Sequence, residues 1–230
     1  MYRQEDIREI YDAEYAARYE GFYLHPWPRK HDVNLLNLKR ILSSIREESP
    51  RWLDLGCGQA WHFTHFPRNI RKVGVDLSIP QLELARRRNP DALFFQADMS
   101  ELCLPDGRFD LVTCFWAAYC YLDSHEKIAG LVKKAVTWTR AGGAFYFELL
   151  LPEDLRTFNQ SEYSSRTGFR VYPRSPDFVE WAYRDAGGEH CMTSPPVQRF
   201  TDLLAPRFRH LEAQHDGGFM THVIGLDKMA

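Results

Sequence analysis

The chain has 230 residues, of which 44% are hydrophobic and 26% charged, with a formal net charge of −2. That length suits one α/β domain with a sizeable core, and the near-neutral balance offers no footing for nucleic acid. No apolar run approaches the roughly 20 residues of a membrane helix, and the polar start Met1-Tyr2-Arg3-Gln4-Glu5-Asp6 lacks the apolar stretch of a signal peptide. The five cysteines (Cys57, Cys103, Cys114, Cys120, Cys191) are odd in number and form no C-x-x-C, as expected for reduced thiols in a cytoplasmic protein.

In chain order, residues 2–24 read as a tyrosine-rich helix, with Ile7, Ile10, Tyr11, Tyr15, Tyr19 and Phe22 recurring at 3–4 spacing. Pro26 and Pro28 break it, and a second helix is expected over about 32–47. The first strand is 51–55. A short helix starts near Ala60 and is stopped by Pro67. The second strand is Lys72 to Asp76. A helix over Pro80 to Arg88 has Ser78 as its cap and closes on Arg86-Arg87-Arg88, which complement the negative end of its dipole. The third strand is Leu93 to Gln96 and the fourth Phe109 to Phe115. A long helix over about 124–140 follows, where Asp123 and Glu126 have capping-box spacing. After the turn Ala141-Gly142-Gly143 comes a fifth strand, Ala144 to Leu150. Residues 159–196 hold four prolines and many aromatics, including Tyr163, Phe169, Trp181 and Tyr183, and read as a folded insertion. Phe200 to Leu204 suggests a helix. Strands over about 208–215 and 219–226 suggest a hairpin around Asp216-Gly217-Gly218. The alternation of strands and helices predicts a Rossmann-like, doubly wound, mainly parallel sheet of seven strands, with helices on both faces and an antiparallel C-terminal hairpin. Ligands of such sheets bind outside the carboxyl ends of the strands.

The most informative stretch is Arg51-Trp-Leu-Asp-Leu-Gly-Cys-Gly-Gln-Ala60. Its strand–turn–helix character and its two glycines allow backbone to approach a cofactor closely. A dinucleotide fingerprint, G-x-G-x-x-G, would place its third glycine where Trp61 stands. Asp54 suits a ligand carrying an ammonium group better than one carrying a pyrophosphate. The stretch resembles motif I of the class I S-adenosylmethionine (SAM)-dependent methyltransferases, D/E-x-G-x-G-x-G, through Asp54, Gly56 and Gly58, with Ala60 in place of the last glycine and Cys57 as a small filler between the first two.

The resemblance covers about 50–150 and implies further roles. Asp76, 20 residues after Gly56 and followed by Leu77, would accept the ribose hydroxyls; NAD enzymes use the same device. Asp98 would take the adenine amino group, with Met99 packing near the ring. Backbone near Cys114 and Phe115 would lie close to the sulfonium, and Trp116 to Tyr121 would line the methyl-accepting side, where aromatic faces suit a cation. Tyr15, Tyr19 and Tyr23, with Trp27 and Arg29, form either a lid over the cofactor or a packed amphipathic helix. The implied layout is a single domain over 1–230: lid at 1–30, SAM-binding core at 50–150, substrate-side insertion at 152–205 and hairpin at 206–230.

The expected reaction is SN2 transfer of a methyl group from SAM to an O or N nucleophile of a small molecule, leaving S-adenosylhomocysteine, in a monomer or homodimer. The protein's main task is then alignment and exclusion of water. A base is useful only if the acceptor loses a proton as it attacks. The candidates are Tyr119, His65 and Glu148, with His25, His62 and His125 beside them. No His/Asp cluster at ligand spacing appears, so no metal is expected. Two rival readings are a nicotinamide oxidoreductase, weakened by Trp61, and a SAM-binding scaffold or regulatory subunit without catalysis.

Overall fold

The computed structural model describes residues 11–26, 28–185 and 188–230. Its N-terminal part is helix α1 (Ala13–Tyr19), capped by Asp12, whose carboxylate accepts the Tyr15 N–H at 2.8 Å, and continued by a π-helical turn at Glu20–Leu24. Residues 2–10 of the expected helix lie outside the described residues, as does Trp27. Helix α2 runs over Pro28–Ser44, earlier than the expected 32–47. Pro28 opens it instead of breaking it, because a first-turn residue needs no N–H donor.

The sheet follows the alternation. Strand β1 is Arg51–Leu55, β2 Arg71–Asp76, β3 Leu93–Gln96, β4 Phe109–Cys114 and β5 Thr139–Leu149. Helix α3 (Ile79–Arg88) joins β2 to β3, and α4 (His125–Trp138) joins β4 to β5. Between β1 and β2 the expected helix is only a 3-10 turn, Trp61–His65, before Pro67. Ser78 caps α3 as expected. The cap of α4 is Ser124, whose hydroxyl accepts the Lys127 N–H; Asp123 pairs instead with Lys127 Nζ at 2.9 Å. The glycine turn expected before β5 is absorbed into that strand as an irregularity, where the β4–β5 register shifts between Phe109 and Leu111.

The insertion has its own structure, which composition did not specify. Helices α5 (Pro152–Phe158) and α6 (Glu162–Thr167) lead into a small antiparallel sheet of β6 (Val171–Pro173), β7 (Glu180–Asp185) and β8 (Gly188–Thr193). Helix α7 (Val197–Leu204) then leads to the hairpin of β9 (Phe208–His215) and β10 (Thr221–Lys228). The main sheet has the order β3-β2-β1-β4-β5-β10-β9, parallel through β5 and antiparallel for the last two strands. One apolar layer packs Leu38, Ile41, Leu82 and Ala85 of α2 and α3 against one face. The other packs Ile128, Leu131, Val132 and Ala135 of α4 with Phe200 and Leu204 of α7. Strand order reverses between β1 and β4, and a crevice opens there at the carboxyl ends.

Packing is tight where β2 meets the glycine loop. A Cβ on Gly74 would lie 2.7 Å from Cys57 Sγ and 2.7 Å from the Phe94 ring. Gly74→Ala is therefore expected to destabilise by about 1–3 kcal/mol, the cost of overpacking. Urea denaturation checks this; an unchanged midpoint would mean that the loop yields freely.

Candidate active site

The cleft encloses about 1470 Å3, its open mouth included. Its floor is the loop after β1. Gly56 and Gly58 hold φ of +66° and +52°, values glycine adopts without steric cost. A Cβ on Gly56 would sit 2.6 Å from Ala118 Cβ, whereas one on Gly58 would meet nothing within 4 Å. The first glycine thus lets two loops touch, and the second leaves space open. Ala60, in place of a third glycine, takes φ +52° as well and is held by its N–H to the Cys57 carbonyl at 2.8 Å.

Two carboxylates stand at neighbouring strand ends. Asp54 accepts from Thr113 Oγ1 at 2.6 Å, and Trp52 Nε1 donates to the same hydroxyl at 2.8 Å. Burial pushes the Asp54 carboxyl up to about 8; the Thr113 hydrogen bond opposes this, and the charge of Asp76 adds to it. Asp76 accepts the N–H groups of Gly58 (2.8 Å) and Ser78 (2.9 Å), tying the glycine loop to β2. Burial raises its carboxyl also, against those N–H donors. Both acids line the cleft with Gly56, Cys57, Gly58, Leu77, Met99, Phe115 and Trp116.

The cleft's roof comes from the N-terminal segment. Tyr11, Tyr15 and Tyr19 line it. The segment is tied down by Ser78 Oγ donating to the Tyr11 carbonyl (2.8 Å), by Gln59 Nε2 donating to the Ala16 carbonyl (2.6 Å), and by an ion pair of Glu20 with Arg88. Arg88 thus serves α1 as well as the end of its own helix. Arg29 lines a separate pocket beside Asp216 and Glu162. The far wall is apolar: Leu150, Phe158, Tyr163, Phe169, Trp181, Met192, Phe219 and Met220.

Beneath the cleft lies a polar arrangement with no local signature in the sequence. Lys30 Nζ donates to Glu148 Oε2 at 2.8 Å, and both side chains are fully buried. The same oxygen accepts the Trp116 N–H at 2.7 Å. Lys30 Nζ also sits 3.7 Å from the centroid of the Trp116 ring, a cation–π contact. Trp116 and Ala117 hold φ of +54° and +51°, a left-handed pair without glycine. Burial alone would raise the Glu148 carboxyl; the Lys30 charge, with His222 and the Trp116 N–H, overrides it and holds the group below its ordinary value. Nearby, Asn34 Nδ2 donates to His62 Nε2 (3.2 Å), and the Tyr146 hydroxyl donates to Asn34 Oδ1 (3.1 Å). His62 lines the cleft, and burial followed by the Lys30 charge keeps its imidazole neutral.

Several residues named from the sequence do not line the cleft. Tyr119 is wholly buried against Phe200, ring centroids 5.1 Å apart, and burial pushes its hydroxyl far above its ordinary value. His65 is exposed and lies against the Trp61 ring at 4.2 Å. Glu148 is under the floor, engaged by Lys30. Cys114 points from β4 into the core opposite to Phe115, as strand alternation dictates. Asp98 turns back to cap Ser100, accepting its N–H and its hydroxyl at 2.8 Å each, while its neighbours Ala97 and Met99 reach the cleft. His25 and His125 are not among the lining residues. Among the described residues no group of His, Cys, Asp and Glu is placed to hold a metal. His31, Gln59 and Tyr183 line the cleft without having been singled out as site residues, and Tyr121 lines it with Trp116, Ala117 and Ala118.

Removing one partner of the Lys30–Glu148 pair strands a buried charge. Lys30→Met is expected to cost about 3–5 kcal/mol, and adding Glu148→Gln to recover a substantial part of it. Chemical denaturation of both variants checks this; a double variant no more stable than the single one would contradict it.

Residues 53–143 match the methyltransferase domain family. The chain is 27% identical over 140 residues to dTDP-3-amino-3,4,6-trideoxy-alpha-D-glucopyranose N,N-dimethyltransferase of Streptomyces venezuelae, covering 60% of this chain and 58% of that protein. It is 33% identical over 133 residues to dTDP-3-amino-3,6-dideoxy-alpha-D-glucopyranose N,N-dimethyltransferase of Streptomyces fradiae, covering 56% and 47%. The chain thus spans about half the length of these curated relatives. Its fold is similar to the SAM-bound structure of CalS10, an amino pentose methyltransferase of Micromonospora echinaspora, with a TM-score of 0.62, 20% identity, and 93% and 96% of the two chains covered. Residues 53–143 thus match the methyltransferase domain family, and the chain's fold is similar to that of SAM-dependent methyltransferases of known structure.

Proposed function

We propose that the chain is an enzyme that methylates an O or N nucleophile of a small molecule, with SAM as donor and S-adenosylhomocysteine as product. The observation that carries this reading is the cleft's division into two chemistries. One end presents Asp54, Asp76 and an open glycine loop; the other is walled by aromatic side chains. The donor set fits SAM. Asp54 faces the cleft as a buried carboxyl whose ionised form lacks a cation, which an ammonium group would supply. Asp76 keeps acceptor capacity beyond its two backbone bonds and is suited to ribose hydroxyls, with Leu77 and Met99 beside the adenine. When bound, SAM supplies a methyl group activated on a sulfonium. Phe115 and Trp116 present ring faces suited to that cation. The remaining contribution of the chain is to orient the acceptor against the donor and keep out water.

In this reading residues 1–30 act as the lid, 50–150 as the cofactor core, 152–205 as the acceptor side and 206–230 as the closing hairpin. The relatives act on nucleotide-linked aminosugars, and a small acceptor is carried over to this chain at that level of generality. A cytoplasmic setting agrees with five unpaired cysteines, and a monomer or homodimer without nucleic acid or membrane partners agrees with the charge of −2. Among the described residues no helix is long and apolar enough to cross a membrane.

Calorimetric titration with SAM and S-adenosylhomocysteine tests the reading. Asp76→Ala is expected to weaken both by at least about a hundredfold, since a hydrogen-bonded charged contact is worth about 1.5–3 kcal/mol and the loop's anchor goes with it. Failure of either to bind the folded protein would overturn the assignment. Binding without turnover of any acceptor would favour the scaffold.

Asp54 adds a pH signature. With its carboxyl at about 8, the free protein holds a proton there at pH 7. Pairing with an ammonium favours the carboxylate, so binding should release close to one proton at pH 6–7, and affinity should fall as pH drops below about 8. Titration in buffers of differing ionisation enthalpy reads the proton, and Asp54→Asn should abolish it. Equal release in that variant would exclude Asp54 as the ammonium partner.

A further inference from the structure

Where the lid meets the small sheet, side chains from three segments converge on the hydroxyl of a fourth. The Tyr121 hydroxyl lies 2.6 Å from that of Tyr11, 2.5 Å from that of Tyr183 and 3.1 Å from His190 Nδ1. Tyr11, Tyr121 and Tyr183 line the cleft; His190 stands behind them, 1% exposed, with its ring stacked on Tyr183 at 4.1 Å and 7°. A phenolic oxygen donates one hydrogen bond and accepts two. One arrangement that satisfies all three contacts has Tyr11 and Tyr183 donating to Tyr121, and Tyr121 donating to His190 Nδ1. In it the hydrogens form a directed chain that begins at the hydroxyls of two residues lining the cleft and ends at an imidazole lone pair.

We infer that this cluster is a proton relay serving a hydroxyl-bearing, flat apolar acceptor such as a phenol, with His190 as the terminal proton acceptor. The inference rests on the methyltransferase reading of the cleft. An acceptor hydroxyl donates to Tyr183 or Tyr11. As its oxygen forms the bond to the methyl carbon, its O–H bond breaks. The C–S bond breaks with its electron pair kept by sulfur. The proton moves through the Tyr121 hydroxyl to His190 Nδ1, and the buried imidazolium later returns it along the same hydroxyls once the product has left the cleft. Burial pushes the Tyr121 hydroxyl far above its ordinary value, so Tyr121 passes a proton without holding a negative charge. The aromatic walls, Phe158, Phe169, Trp181 and Phe219 among them, match a planar ring in shape and polarity. Among the described residues, the titratable side chains facing His190 include Tyr11 and Tyr15 from the lid, Tyr121 from the loop after β4 and Tyr183 from β7.

The test uses three flat probes of one shape: 4-methylumbelliferone, its more acidic 4-trifluoromethyl analogue, and 7-amino-4-methylcoumarin. SAM affinity is measured alongside. The intact protein is expected to methylate the phenols in preference to the amine, with a rate that falls at low pH with a slope of one. His190→Gln and Tyr121→Phe should each lose about a hundredfold or more in kcat for 4-methylumbelliferone, the scale of general-base catalysis. They should lose much less for the acidic analogue, which arrives already ionised, and should leave SAM affinity within about twofold. Loss independent of phenol acidity, or preference for the amine, would overturn the relay. So would SAM binding without turnover of either phenol. Absence of SAM binding would instead bring down the methyltransferase reading itself. Should both variants fail to fold, the intact protein decides: a flat low-pH limb and no solvent isotope effect on single-turnover methylation would equally overturn it.

Discussion

The Lys30–Glu148 ion pair is the contact on which the site's geometry depends. One carboxylate oxygen accepts from the ammonium of α2 and from the Trp116 N–H. Two full charges without solvent are costly, and their attraction repays that only when the geometry is good and other polar atoms are engaged. Here the return is positional. The pair fastens α2 to the carboxyl end of β5 and stabilises the left-handed backbone at Trp116 and Ala117. That bend turns Phe115, Trp116 and Ala117 toward the cleft at the end of β4. Neither residue of the pair lines the cleft itself.

The same economy shapes the cofactor end. Asp76 joins the glycine loop to β2 through backbone N–H groups, so the residue proposed for ribose hydroxyls also anchors the loop. Asp54 is held differently, by a Thr113 hydroxyl that Trp52 in turn orients. That support is too weak to offset burial, and the carboxyl rises to about 8. Such a group is poised to gain from a cation. Charge need is concentrated at one end of the cleft and aromatic surface at the other, which is how one cavity can take two unlike ligands.

Much of this was legible in the chain itself. Strands β1 to β5, α3 and its Ser78 cap follow from periodicity and from a hydroxyl before an apolar turn, both local effects. The loop from Asp54 to Ala60 was readable because only small residues tolerate its backbone and close approach. Errors arose where local signals competed. Pro28 reads as a breaker or an opener depending on whether a helix starts beneath it. Asp123 and Ser124 both suit an N-cap, and the choice fell to Ser124 once Asp123 paired with Lys127. Tyr119 and Tyr121 are two residues apart on one turn; Tyr119 enters the core against Phe200 and Tyr121 faces the cleft.

By itself, then, the sequence determined the layered α/β architecture, the strand ends and the acidic glycine loop, because periodicity, capping and turn chemistry act within a few residues. The tertiary structure alone decided which polar groups meet. Lys30 finds Glu148 118 residues away, and Tyr121 gathers Tyr11, Tyr183 and His190 across separations of 110, 62 and 69 residues. Such pairings leave no trace in local pattern. They exist because folding removes these groups from water, and each buried donor or acceptor must then be satisfied by whatever the topology has brought beside it.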